Sequence, residues 1–230
     1  MKSNADAILK FINNLNPTFK LPAGVKLLNP FLDKDVLRIN REFYGEYYND
    51  NNSRVLIFGI NPGRFGAGIT GIPFTDPMKA KEVLGLKNCP SGKSELSSDF
   101  VYKVIDEFGG TKKFFGNFLI SSVCPLGFVK DGRNLNYYDD KRLIKAVLPF
   151  IIEQMQEQLK MNVSNEKVIC LGEGKNLDFL EELNQEYNFF REILPLPHPR
   201  FVMQYKRKEM KQYVGQYVRV LNRTLSTKQA

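Results

Sequence analysis

Asn61 and His198 are the side chains best suited to chemistry in this sequence, and each sits in a frame of glycine or proline. The first lies in Gly59-Ile60-Asn61-Pro62-Gly63, with Gly66, Gly68 and Gly71 following before Pro73-Phe74. Glycines permit positive φ and close backbone approach to a ligand, while the prolines stiffen the segment, so the chain fixes Asn61 and Phe74 in space. Such a loop suits a pocket that takes a planar ring against Phe74 and a water or polar ligand atom against Asn61. Read for packing alone, the same residues form a strand-to-helix turn whose glycines only relieve crowding.

His198 is the single histidine of the chain, which excludes multi-histidine metal sites and makes any serine hydrolase depend on this one imidazole. It stands in Pro195-Leu196-Pro197-His198-Pro199-Arg200, pinned by a proline on each side and followed by an arginine. A structural histidine is the plain alternative; rigid placement beyond a strand argues for function. Two other motifs fail. Ser91-Gly92-Lys93-Ser94 has Lys87 where a P-loop needs its first glycine, and Gly172-Glu173-Gly174 has Leu177 where a dinucleotide fingerprint needs its third. Ahead of a helix, that second segment could still offer backbone N–H groups and Lys175 to a phosphate.

These residues need strands to position them. β-like runs fall at about 53–59, 115–123, 167–171 and 191–196, separated by helical stretches near 76–84, 95–108, 139–161, 178–187 and 203–222. Leu143, Val147, Phe150 and Ile151 mark a buried helical stripe. Alternating strands and helices predict an α/β fold in which a central, mainly parallel sheet of four strands is covered on both faces. Ligands then bind beyond the carboxyl ends of the strands. The Asn61 loop, Ser121-Ser122-Val123-Cys124-Pro125, Gly172-Glu173-Gly174-Lys175 and the His198 segment are expected to gather there. Helical patches near 3–15 and 34–48 make residues 1–50 an N-terminal extension of one domain spanning 1–230, with a flexible tail at 226–230.

Of 230 residues, 43% are hydrophobic and 25% charged, ordinary for a soluble globular protein. No segment approaches a membrane span and no apolar leader opens the chain, so a cytoplasmic protein is expected. Cys89, Cys124 and Cys170 are widely spaced without a CxxC pair, which suggests buried thiols rather than disulfides or a sulfur-ligated metal. With 33 Lys and Arg against 25 Asp and Glu, the net charge is +8. From His198 to Arg223, seven basic residues (Arg200, Lys206, Arg207, Lys208, Lys211, Arg219, Arg223) face one acid, Glu209. That clustering suits a polyanion, or else a solvated basic helix.

Taken together, the ordered motifs resemble the uracil-DNA glycosylase superfamily, most closely its single-strand-selective monofunctional branch. Gly59-Ile60-Asn61-Pro62-Gly63, Phe65-Gly66, Thr70-Gly71 and Pro73-Phe74 match that branch's first motif. Val123-Cys124-Pro125-Leu126 and Gly132-Arg133-Asn134-Leu135 are similar to its middle segment, and His198-Pro199-Arg200 to a shortened histidine loop. The resemblance implies a three-layer α/β/α domain that hydrolyses the N-glycosidic bond of uracil or a related base in DNA after flipping the nucleotide out. It implies that Asn61 positions the attacking water, His198 stabilises charge on the leaving base, and Phe74 stacks on the extruded ring. Ile60, Gly63 and Ser122 would also line the base site, Gly63 leaving room beside pyrimidine C5. Arg200 and Phe201 would approach the gap in the duplex, and Lys175, Lys206 and Arg207 would hold phosphates. A monomer needing no metal or organic cofactor is implied.

Two departures stand out. Ser122 replaces the asparagine that usually reads the base edge, and the histidine loop lacks the usual extra Ser-Pro. The serine leaves open a damage-binding module without catalysis, whereas Asn61 and His198 favour an enzyme. A phosphohydrolase or nucleotide-binding protein is disfavoured by the missing P-loop and acidic cluster.

Overall fold

A computed structural model describes residues 3–87 and 89–225; the tail expected at 226–230 lies outside them. In chain order the elements are α1 (Asn4–Asn13), β1 (Val25–Leu28), α2 (Lys34–Tyr47), β2 (Arg54–Gly59), α3 (Ala67–Thr70), α4 (Pro77–Glu82), α5 (Leu96–Phe108), α6 (Thr111–Asn117) and β3 (Phe118–Ser122). There follow β4 (Gly127–Lys130), β5 (Arg133–Leu135), α7 (Lys141–Leu159), β6 (Val163–Leu171), α8 (Lys175–Tyr187), β7 (Glu192–Leu196), α9 (Pro199–Tyr205) and α10 (Met210–Leu225). Short 3₁₀ turns occupy Pro30–Leu32 and Arg207–Glu209.

The main sheet has the order β3-β2-β6-β7 with every neighbouring pair parallel. Parallel strands carry helices on both faces and read as continuous apolar runs, and β2 is buried along its whole length. Ile57 and Ile169 point toward Val101 and Val104 of α5 and Tyr217 and Leu221 of α10. On the opposite face, the Ser121 hydroxyl bonds the amide oxygen of Gln158 in α7, and Asn176 of α8 donates to Cys170 Sγ at 3.3 Å. This is the three-layer arrangement expected from the sequence.

The start of β2 is locked by an ion pair between a buried arginine and a partly exposed aspartate. Arg54, 1% exposed, bonds the Asp50 carboxylate and donates to the carbonyls of Phe115, Asn52 and Tyr47 at 3.1, 2.7 and 3.2 Å. With all its donors directed at acceptors, the buried guanidinium is tolerated.

Three features differ from the sequence reading. A second sheet, β1-β4-β5, is antiparallel and was not anticipated; its strands have only three or four residues, too few for an alternation to stand out. The helix expected over 203–222 is broken into α9, the 3₁₀ turn and α10, although neither glycine nor proline marks the break. Between Met203 and Val214 no residue is buried, so the apolar stripe that would hold one straight helix is interrupted. Finally, Cys124 and Cys170 are buried as expected, but Cys89 is only half-buried.

Candidate active site

Gly59 and Ser122 are register partners at the carboxyl ends of β2 and β3, and His198 lies just past β7. Together with the Asn61 loop they wall a cleft of about 580 Å³. Asn61, Ile60, Gly63, Phe74, Ser122, His198, Arg200 and Phe201 all line it, so the sheet brings together eight residues singled out from sequence. Lys175, Lys206 and Arg207 do not line it. Lys206 instead pairs with Glu209 at 3.2 Å, and the Gly172–Lys175 segment ends at the base of α8 outside the cleft.

Asn61 is oriented by residues distant in the chain. Its Oδ1 accepts from the Tyr137 N–H at 3.1 Å, and its Nδ2 donates to the Leu135 carbonyl at 3.3 Å. One donor and one acceptor on the same backbone stretch fix which way the amide faces and leave Oδ1 a free lone pair. The stretch leaves β5, so the small antiparallel sheet is what holds the amide in place.

Phe74 is held in a left-handed conformation, φ 52°. That conformation costs a non-glycine residue about 1–2 kcal/mol and needs support from its surroundings. Next to it, the Thr75 carbonyl accepts from buried Thr70 Oγ1 at 2.7 Å, and the Thr75 hydroxyl lies 3.0 Å from the Tyr102 hydroxyl. The ring passes so close to Gly59 that a Cβ there would meet Phe74 Cε2 at 2.9 Å. Glycine at the end of β2 therefore admits the aromatic wall of the cleft.

His198 caps α9, and Pro199 occupies the first turn of that helix. Its Nδ1 accepts from the Arg200 N–H at 3.1 Å, so the neutral ring carries its proton on Nε2. Burial, aided by the Arg200 charge, lowers the imidazole pKa to about 4. The half-buried ring is thus an uncharged donor at neutral pH, 5.8 Å between centroids from Phe74. The carbonyl of Pro197 accepts from the Tyr217 hydroxyl, which ties the histidine segment to α10.

Ser122 is 8% exposed, and its side chain makes no hydrogen bond among the described residues. Several lining residues escaped the sequence reading: Glu95, Asn136, Arg64, Arg133, Phe65 and Tyr205. Phe65, Phe201 and Tyr205 are 55%, 44% and 73% exposed, which puts aromatic surface at the rim. Phe65 and Arg133 lay within segments already quoted and Arg64 between two of them, but only the fold shows that Arg64 and Arg133 share a cleft with Arg200. No lysine lines it among the described residues, so no amine is at hand for a covalent route through the sugar. Nor is any group of three or more His, Cys, Asp or Glu placed to hold a metal among those residues.

An amide, a neutral imidazole and an aromatic face on the strand ends of an α/β/α fold match what the resemblance to the monofunctional DNA glycosylases implied. The sequence model of the Uracil DNA glycosylase superfamily matches residues 46–222. The crystal structure of wild-type SMUG2 from Pedobacter heparinus superposes with a TM-score of 0.95 at 42% sequence identity, covering 98% of this chain and 100% of that one. The chain belongs to the uracil DNA glycosylase superfamily, and its substrate is DNA.

Proposed function

We propose that this protein excises uracil or a related deaminated or C5-modified base from DNA by hydrolysing the N-glycosidic bond of a nucleotide rotated out of the stack. The observation that carries the reading is the pairing, across one cleft, of an Asn61 carbonyl with a free lone pair and a neutral His198 with a free Nε2–H. In this reading a water held by Asn61 Oδ1 attacks C1′, the C1′–N bond breaks with its electrons leaving on the base, and the proton that the water sheds passes to solvent and is regained by the departing base anion. Asn61 is too weak a base to drive the attack, so the rate comes from stabilising the leaving base. His198 Nε2–H donates to the base carbonyl as negative charge develops there, without the energetic cost of a full proton transfer. Phe74 stacks on the ring, Ile60 and Ser122 complete the walls, and Gly63 faces C5.

The positive rim formed by Arg64, Arg133 and Arg200 suits the phosphates on either side of the flipped nucleotide, with Lys175, Lys206 and Arg207 further along the strand. Phe201 fits the gap left by the base. In the same reading residues 1–230 are one domain, which the continuous core from α1 to α10 supports, and the protein acts as a monomer.

The test is release of base from oligonucleotides containing uracil, 5-hydroxymethyluracil, hypoxanthine or xanthine, read by alkaline cleavage at the abasic site. Excision of at least one base supports the reading; tight binding without release on the whole panel replaces it with a damage-binding module, the alternative that Ser122 favours.

A further inference from the structure

We propose that Glu95 is a specificity-determining residue whose carboxylate accepts a hydrogen bond from a donor group carried on the C5 side of the extruded base. The inference rests on the base-excision reading and on Gly63 as the wall facing C5.

Glu95 precedes α5 and lines the cleft. Its backbone N–H donates to Asp76 Oδ2 at 2.9 Å, and buried Asp76 also accepts from the Lys79 N–H at 2.8 Å. Asp76 lies two residues after Phe74, so the stacking face and the acid are anchored to the same segment. The glycine loop is shaped around the carboxylate: a Cβ on Gly66 would lie 2.1 Å from Oε2, and one on Gly63 would lie 3.9 Å from Oε1. The acid therefore fills the space of a Gly66 side chain; at Gly63, where Asn134 Nδ2 is the nearer group at 3.0 Å, it stands at ordinary contact distance beside the wall assigned to C5.

No hydrogen bond or ion pair satisfies this carboxylate among the described residues. Burial raises its pKa, with Arg200 opposing and Asp76 adding to the rise, and its oxygens are not sealed from the cleft, so a donor on a ligand can reach them. Phosphates repel an acid, and an internal deoxyribose carries no hydrogen-bond donor. Within a flipped nucleotide, donors belong to the base alone. Uracil offers only C–H at C5 and a 5-formyl group offers only an acceptor, whereas a 5-hydroxymethyl group offers an O–H.

The experiment compares kcat/KM on oligonucleotides carrying 5-hydroxymethyluracil, uracil and 5-formyluracil for the wild type, Glu95→Gln and Glu95→Met. Gln keeps an acceptor oxygen without charge; Met keeps the length and loses the acceptor. In Glu95→Met the ratio of 5-hydroxymethyluracil to uracil should fall about tenfold or more, the size of one hydrogen bond to a charged group, while Gln retains most of it. An unchanged ratio in both variants, or an equal loss on all three bases, overturns the inference alone. Release of no base by the wild type overturns the excision reading and this inference with it.

Discussion

The Asn61 amide is held by a backbone 76 residues further along the chain: the Tyr137 N–H donates to Oδ1 at 3.1 Å, while Leu135 accepts from Nδ2. The carbonyl is thereby preset toward the cleft before substrate arrives. Asn61→Ala should lower the single-turnover rate on the order of 10²–10³-fold while DNA binding stays largely intact. Quenched-flow excision alongside fluorescence anisotropy separates the two, and a near-wild-type rate would remove Asn61 from the mechanism.

His198 makes a prediction through its protonation state. With its pKa lowered to about 4, the ring is neutral above that value, so excision should show no histidine limb near pH 6.5 and should decline only as pH falls toward 4. Because the folded pKa lies below the ordinary value, protons bind the unfolded chain more readily between these limits, and stability falls as pH drops through that window. His198→Ala should cost on the order of 10²–10³ in rate and leave the rest of the pH profile unchanged. A wild-type limb near 6.5 would contradict the neutral donor.

Ser122 should loosen base discrimination. A rotating hydroxyl can donate or accept, whereas a planar amide distinguishes the two. Ser122→Asn, beside Gly59 in the register, should shift kcat/KM ratios toward uracil by about 1–2 kcal/mol. Identical ratios across the base panel would show that this side chain does not read the base.

Salt dependence locates the DNA path. Replacing Lys206, Arg207 and Lys208 together by glutamine should reduce the slope of log affinity against log salt by about 0.9 for each phosphate that is no longer neutralised. An unchanged slope would confine the path to the arginine rim, where Arg133→Gln then carries the same test.

The Arg54–Asp50 pair predicts behaviour in acid. The guanidinium bonds hold the Asp50 carboxyl down to about 2, so its contribution is complete above the ordinary carboxylate pKa and is lost as pH falls through about 2. Asp50 is 37% exposed, so screening limits this contribution to about 1 kcal/mol. Removing the partner is worse: Asp50→Ala leaves Arg54 buried without its counter-ion and should cost about 3 kcal/mol in urea unfolding. A loss below about 1 kcal/mol would mean that the surrounding carbonyls suffice.

The strand runs, the glycine loop after β2 and the proline-framed histidine were legible in the sequence because each is a local signal. Apolar runs, φ-permissive residues and rigid prolines act within a few residues of themselves. From these alone followed the parallel sheet, the convergence of Asn61, Ser122 and His198, and the choice of Phe74 as the stacking face. Glu95 gave no such signal, since an acid before a helix reads as ordinary surface until Gly66 is seen packed against its carboxylate. The small β1-β4-β5 sheet was equally silent, yet its exit holds Asn61 in place. The direction of the Asn61 amide, the proton position on His198 and the arginine rim depend on residues far apart in the chain meeting one another. They meet only once the layers pack, so the tertiary structure alone decided these features.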